Sequence, residues 1–112
     1  MRRLMGAGLA VAVSAVLLQA SPAAAASTWP VKAVESVKIR KSPTTNSTAL
    51  GLLPKGEQAR AELYRNAVIK TYWGGEHGAC GSKGTPFSDN WMKVTYKGTT
   101  GYVAWLCASA VR

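Results

Sequence analysis

Residues 91–103 of this 112-residue chain read WMKVTYKGTTGYV. Alternate positions at the start of this stretch fall into two sets, one of Trp91, Lys93 and Thr95 and the other of Met92, Val94 and Tyr96. A period of two indicates a β-strand with one face turned to a core. Lys97-Gly98 suits a two-residue turn, and Thr99–Val103 provides the returning strand. The segment therefore predicts an antiparallel β-hairpin.

Two further strands are predicted on the amino-terminal side of this hairpin. Residues 34–41 alternate so that Val37 and Ile39 share one face, and charged side chains lie on the other. Residues 49–53, ALGLL, form a short apolar strand that ends at the turn Pro54-Lys55-Gly56. These stretches continue the pattern of short strands separated by turns.

The segment 57–63, EQARAEL, allows two interpretations. Its period of two places Ala59, Ala61 and Leu63 on one face and favours a strand. A helix is the alternative, because Ala, Arg, Glu and Leu all tolerate helical conformation. Residues 64–73 are expected to continue or repeat the strand.

The carboxyl-terminal third combines a long loop with the end of the fold. Residues 74–90 are rich in glycine, and a loop of this length is uncommon unless it is functional or tied down. After the hairpin, 104–106 suits a tight turn and 107–112 a closing strand. Five or more short antiparallel strands of this kind predict an all-β fold, a small β-barrel.

Cys80 and Cys107 are the only cysteines, and an even count in an exported chain indicates one disulfide bond. A catalytic Cys80 with His77 would need a reduced thiolate, which an oxidising compartment disfavours. A zinc site is also poorly supported, because its ligands would have to be His77, Cys80 and Cys107 with Glu76 or Asp89. We therefore expect no metal, no cofactor and no catalytic residue, and we expect His77 to be a solvated loop residue.

The first 26 residues have the layout of a secretory signal peptide. Arg2 and Arg3 precede the apolar run 4–20, and small residues follow as far as a cleavage site after Ala26, with Ala25 as the near alternative. A membrane anchor is the other possibility, but the run is slightly shorter than the roughly 20 residues of a spanning helix. The expected organisation is a cleaved signal peptide at 1–26, a short leader at 27–33 and one domain at 34–112.

The charge of the chain is strongly positive. Lys and Arg total 14 against 5 acidic residues, a formal net charge of +9, and loss of Arg2 and Arg3 with the signal would leave +7. Such a basic protein favours anionic partners. The cations are spread evenly, so no nucleic-acid arm is expected. We expect a secreted, extracellular monomer with no stable membrane insertion after signal cleavage, associated with peptidoglycan or an anionic wall polymer, or else with a secreted or surface protein.

Taken in order, these strands resemble the bacterial SH3 domain (SH3b-like) family over about residues 34–108. The resemblance lies in 37–43, 47–56, 91–94, 97–98 and 101–103. It implies a non-catalytic module of the kind that attaches exported proteins to the cell wall, often through peptidoglycan peptides. Lys38 and Ser42 depart from the usual Asn and Gly, and the aromatic expected after Gly-Tyr-Val is Cys107, or Trp105 if two residues are missing. Residues 64–90 are longer than the common core.

Aromatic side chains are the candidate ligand-binding residues, because they supply rigid, amphipathic contact area. The candidates are Tyr72, Trp73, Trp91, Tyr102 and Trp105. For Trp91 and Tyr102 a core or rim position is favoured over a ligand platform, and for Trp73 and Trp105 both remain open. An enzyme is not expected, since the acidic residues are scattered and Glu57 and Glu62 would lie on opposite faces of one strand. Three hypotheses follow: a wall-binding module, a protein-interaction factor (an inhibitor or effector) that uses the disulfide-pinned 74–90 loop, and an exported domain without a specific ligand.

Overall fold

A computed structural model of the chain describes residues 27–112. The predicted signal peptide and its cleavage site lie outside these residues and stay predictions. No helix within residues 27–112 is long and apolar enough to span a membrane.

The regular secondary structure of residues 27–112 is β-structure, in nine short strands, with two 3-10 turns as the helical elements described. The strands are β1 (Thr28–Ala33), β2 (Val37–Arg40), β3 (Ala49–Leu53), β4 (Gln58–Tyr64), β5 (Val68–Ile69), β6 (Tyr72–Trp73), β7 (Asn90–Tyr96), β8 (Thr99–Ala104) and β9 (Ala108–Ala110). The 3-10 turns cover Ala79–Gly81 and Trp105–Cys107.

All strand pairs are antiparallel and belong to one sheet path, β3-β2-β8-β7-β4-β1-β9, with β5 added to β4 and β6 to β7. The all-β class is therefore confirmed. The two end strands, β3 and β9, do not pair with each other, so hydrogen bonding does not close the sheet. Leu53 of β3 and Ala108, the first residue of β9, nevertheless belong to the same core cluster. The sheet therefore curls around one core without closing.

The core is built from the alternating residues that the sequence indicated. Ile39 on β2 is fully buried, as are Met92 and Val94 on β7. On β4, Ala59 and Ala61 face the core while their neighbours face solvent. The strand prediction for 57–63 is confirmed, and the helical alternative is wrong. The physical reason is that β4 pairs with both β1 and β7, and those pairings satisfy its backbone groups.

Residues 27–33, expected as a leader, supply strand β1. Val31 and Ala33 are buried in the core, and β1 lies between β4 and β9 in the sheet. The strand contains Pro30, which has no amide hydrogen to donate to a neighbouring strand. The Pro30 carbonyl still accepts a hydrogen bond from the Val111 amide at 2.9 Å. The local sequence pattern of residues 28–33 indicates a strand only weakly. They form one because they pair with β4 and β9, which are distant in sequence.

The predicted hairpin is confirmed as β7 and β8, paired as far as Tyr96 opposite Thr99. Lys97 and Gly98 both have positive φ, 47° and 82°, which a two-residue turn of the primed type requires. Strand β7 is buried on both faces at its start. Met92 packs into the core within the curled sheet, whereas Trp91 faces outward into a second, smaller cluster.

Gly101 marks the closest approach of β8 to β2. A Cβ atom there would lie 2.5 Å from the Arg40 carbonyl oxygen and 2.8 Å from Cγ2 of Ile39. Gly101→Ala should therefore lower the free energy of unfolding by about 1–3 kcal/mol, the usual cost of overpacking. Gly51→Ala is the matched control, because its Cβ would meet Thr99 at an ordinary 3.6 Å and neither glycine has a positive φ. Urea unfolding of both variants checks this, and equal midpoints would contradict it.

Candidate functional site

The five predicted aromatic residues do not form one site. Trp91 is 2% exposed and lies beneath the 74–90 loop, so its ring offers no surface to a ligand. Tyr72 and Tyr102 are neighbours on the outer face of the sheet. Trp73 is 70% exposed at the end of β6, and Trp105 lines a groove near the carboxyl terminus.

The 74–90 loop is held against the sheet at several points. The predicted disulfide between Cys80 and Cys107 is confirmed. The Gly74 amide donates to the Asp89 carbonyl at 2.9 Å, which closes the base of the loop. Trp91 adds a further tie, since its Nε1 donates to the Gly75 carbonyl oxygen at 2.9 Å. The loop therefore packs over the second, smaller cluster, which we call the outer cluster. This cluster consists of Trp91, Ala104 and Cys107, with half-buried residues packed against them.

His77 is buried under this loop and is only 6% exposed, so the expectation of a solvated histidine is wrong. Its Nε2 donates to the Asn90 carbonyl oxygen at 3.0 Å, and its Nδ1 lies 2.9 Å from Oγ of Ser82. The ring stands edge-on to Trp91 with centroids 4.8 Å apart. Ser82 is itself fully buried, and its hydroxyl lies 2.7 Å from the Ala79 carbonyl. The pair thus anchors the loop, and neither group is exposed to a substrate.

Tyr72 and Tyr102 form an aromatic pair with a mixed charged rim. Their ring centroids are 5.1 Å apart at an interplanar angle of 79°. The Tyr72 hydroxyl donates to Oε1 of Glu62 at 2.6 Å. Partial burial, followed by the hydrogen bond and charge of Glu62, raises the pKa of Tyr72 above its ordinary value. The hydroxyl therefore remains a neutral donor, while Lys70 and Lys93 place ammonium groups 4.9 and 5.9 Å from the two ring centroids.

An open, mainly apolar groove of about 1060 Å³, which we call the Trp29–Trp105 groove, lies on the surface. Strand β1, the β4–β5 hairpin, the second 3-10 turn and the last residues of the chain form it. Its lining includes Trp29, Leu63, Val68, Ile69, Trp105 and Arg112. Trp29 is 47% exposed and is held by a hydrogen bond from its Nε1 to the Val111 carbonyl at 2.8 Å. Arg112 is the one charged residue of this lining.

The sequence pattern predicts Trp105 as a candidate binding residue but does not indicate the rest of the groove. Trp29 belongs to the stretch that the pattern predicts as a leader, and Val68 to one whose strand boundaries it does not define. The groove joins residues near positions 29, 68, 105 and 112, which only the pairing of β1 with β4 and β9 brings together. An isolated tryptophan in a stretch with apolar neighbours was the one signal available.

Two of the acidic side chains each accept a hydrogen bond from a different tyrosine. Glu57 accepts a hydrogen bond from the Tyr96 hydroxyl at 2.9 Å, whereas Glu62 accepts from Tyr72. Among residues 27–112, no group of three or more His, Cys, Asp or Glu side chains is placed to hold a metal ion. What the surface does offer is aromatic and basic contact area, which suits binding.

Comparison with known proteins agrees with the curled antiparallel sheet. The sequence model of the bacterial SH3 domain family matches residues 35–108, which begin just after β1 and end at the first residue of β9. No curated protein and no solved structure gives a significant match. Members of the family are generally non-catalytic binding modules. Because the match covers well over half of the 112 residues, the chain belongs to the bacterial SH3 domain family.

Proposed function

We propose that this protein is an exported, non-catalytic module that binds a peptide of the bacterial cell wall in the Trp29–Trp105 groove. The observation that carries the proposal is that the exposed Trp29 and the half-buried Trp105 line one open, mainly apolar groove. Contiguous exposed apolar surface on a small domain usually marks an interaction site. Tryptophan is also among the residues that contribute most to binding energy at interfaces.

The chemistry of the groove suits a short peptide that carries carboxylates. Trp29 and Val68 would cover small apolar side chains, and the Arg112 guanidinium can pair with a carboxylate in two-pronged geometry. Peptidoglycan peptides combine alanine with free carboxylates. The formal net charge of +7 that is left after loss of Arg2 and Arg3 with the signal peptide would draw the protein towards the anionic wall. Family membership supports the same target, since bacterial SH3 domains often bind cell-wall components.

Export is part of this proposal. The sequence pattern of residues 1–26 is that of a secretory signal. The disulfide between Cys80 and Cys107 agrees with an oxidising compartment, because disulfides are rare in the cytosol. Both observations support a location outside the cytoplasm and in reach of the wall.

Co-sedimentation of the purified, oxidised protein with peptidoglycan sacculi stripped of anionic polymer tests the proposal. We expect retention that survives high salt, because apolar contacts are not screened. Trp29→Ala should weaken retention about 10-fold, the loss of roughly 1.4 kcal/mol of contact. Trp73→Ala is the matched control, since Trp73 is exposed but lies outside the groove lining, and it should bind normally.

Three results would count against the proposal. Retention that disappears in high salt would leave only the diffuse positive charge as the cause. Equal retention of Trp29→Ala and Trp73→Ala would exclude the groove. No retention at all would favour the second candidate, a protein-interaction factor that uses the 74–90 loop. That candidate has its own supporting observation, because Phe87 is exposed on a loop held by the disulfide.

A further inference from the structure

Strand β3 lies at one end of the sheet and has an unused edge. Within residues 27–112 it pairs only with β2, and no strand lies on its other side. Every second N–H and C=O of an edge strand points away from its neighbour and can bond to another extended chain. The backbone of Ala49–Leu53 therefore offers a row of hydrogen-bonding groups at the surface.

The side chains of β3 do nothing to discourage such pairing. The strand reads ALGLL and contains neither a charged residue nor a proline. Leu50 and Leu52 are 45% and 50% exposed, whereas Leu53 is fully buried. Edge strands are usually protected by charges, proline, short length or a β-bulge. Of these, β3 has a register shift against β2 between Ile39 and Arg40, which leaves Leu50 without a Cα partner on β2. The opposite end strand, β9, has only three residues and no large apolar side chain.

Basic residues surround this edge. Lys41 lies beside the start of β3, because its amide donates to the Thr48 carbonyl at 2.9 Å. Lys38 is opposite Leu52 in the β2–β3 register, so the two side chains share a face. Lys55 comes just after the end of the strand, and all three lysines are exposed. A partner on this edge would meet apolar contact area with cations at both ends.

We propose that β3 is a second binding site, which accepts an extended peptide by β-strand addition. The ligand class is a segment with apolar side chains at alternate positions, for Leu50 and Leu52, and carboxylates near its ends, for Lys41 and Lys55. Main-chain hydrogen bonds supply affinity in this mode, and alternate side chains supply specificity. The site lies at the opposite end of the strand order from β1 and β9, which border the Trp29–Trp105 groove.

A second copy of the chain fits the edge less well than an acidic peptide does. Symmetric antiparallel pairing about Gly51 would set Thr48 of one copy against Pro54 of the other. Lys55 of one copy would then lie at the end of β3 that Lys41 flanks in the other copy, and like charges brought to the same end of a strand pair repel. Each copy without residues 1–26 also carries a formal net charge of +7, which adds to the repulsion.

The test is a titration of the ¹⁵N-labelled, oxidised protein with a synthetic peptide of alternating valine and threonine that has glutamate at both ends. We expect amide shifts and slower hydrogen exchange at Ala49–Leu53. Leu52→Lys should weaken binding at least 10-fold, whereas Val34→Lys, the same change at an exposed valine outside β3, should not. A peptide N-methylated at alternate residues should fail to bind, and a lysine-ended peptide should bind at least 10-fold more weakly.

Several results would overturn the proposal. These are an absence of shifts in β3, equal binding of the N-methylated peptide, and concentration-dependent dimerisation through β3 in sedimentation velocity without peptide. Unchanged thermal unfolding of Leu52→Lys keeps its effect separate from misfolding. Trp29→Ala should leave this titration unchanged, so the failure of the groove proposal and the failure of this one are distinguishable.

Discussion

Trp91→Ala should lower the free energy of unfolding by about 3–5 kcal/mol, the range for removal of a buried tryptophan. The ring is buried, stands edge-on to His77 and donates to the Gly75 carbonyl. Its removal would leave a cavity beneath the loop and strip the imidazole of its packing partner. The loss should therefore reach the loop as well as β7.

Trp73→Ala is the natural comparison, since it removes the same side chain from the strand that pairs with β7. Trp73 is 70% exposed, so this change should stay within about 0.5 kcal/mol. Guanidinium unfolding followed by far-UV circular dichroism measures both, because this signal does not depend on either indole. Similar losses in the two variants would mean that the outer cluster contributes little to stability.

Reduction of the Cys80–Cys107 disulfide should cost about 3–4 kcal/mol. The two cysteines are 27 residues apart in sequence, and opening a loop of that length restores conformational freedom to the unfolded chain. In the folded state Cys107 is buried beside Trp91 and Ala104. Breaking the bond therefore also loosens the 74–90 loop, which packs over the outer cluster.

Denaturant unfolding of the oxidised protein, with and without a thiol reductant, measures this effect directly. The double variant Cys80→Ala/Cys107→Ala should behave like the reduced protein, with a small further loss from the cavities left behind. A midpoint that reductant leaves unchanged would contradict the prediction. Combined with Trp91→Ala, the loss should be less than additive, because both changes open the same cluster.

The domain has two buried clusters that are formed by different parts of the chain. The inner core, within the curled sheet, uses residues from the family match and from β1. The outer cluster exists because the 74–90 loop folds back over Trp91 and is pinned by the disulfide. The loop therefore covers part of the outer face of the sheet, while the ends of the strand order remain exposed.

Most of the strands could be predicted from the local sequence pattern. The alternation in 91–96 and the Lys97-Gly98 pair specify the β7–β8 hairpin, because a period of two and a turn with positive φ are properties of adjacent residues. The same holds for Ala59 and Ala61 on β4, where the period of two decided against a helix. The pairing of two cysteines followed from their count and the expected compartment.

The site could be predicted only in part, for reasons that can be traced to particular residues. Trp91 and Trp105 were both candidates, and nothing in their neighbours distinguishes a buried indole from one that lines a groove. Trp91 is buried because the 74–90 loop covers it, at His77 and at Gly75, which is 16 residues away in sequence. Burial of this kind depends on packing between distant segments.

The sequence by itself determined the antiparallel β-architecture, the disulfide and the strongly basic character, since these depend on side-chain period, cysteine count and charge. Only the tertiary structure decided that β1 joins the sheet, that His77 is buried and that Trp29 meets Trp105 across a groove. Each of these depends on hydrogen bonds or contacts between residues far apart along the chain. The local sequence pattern does not indicate such contacts, because it reflects only neighbouring residues.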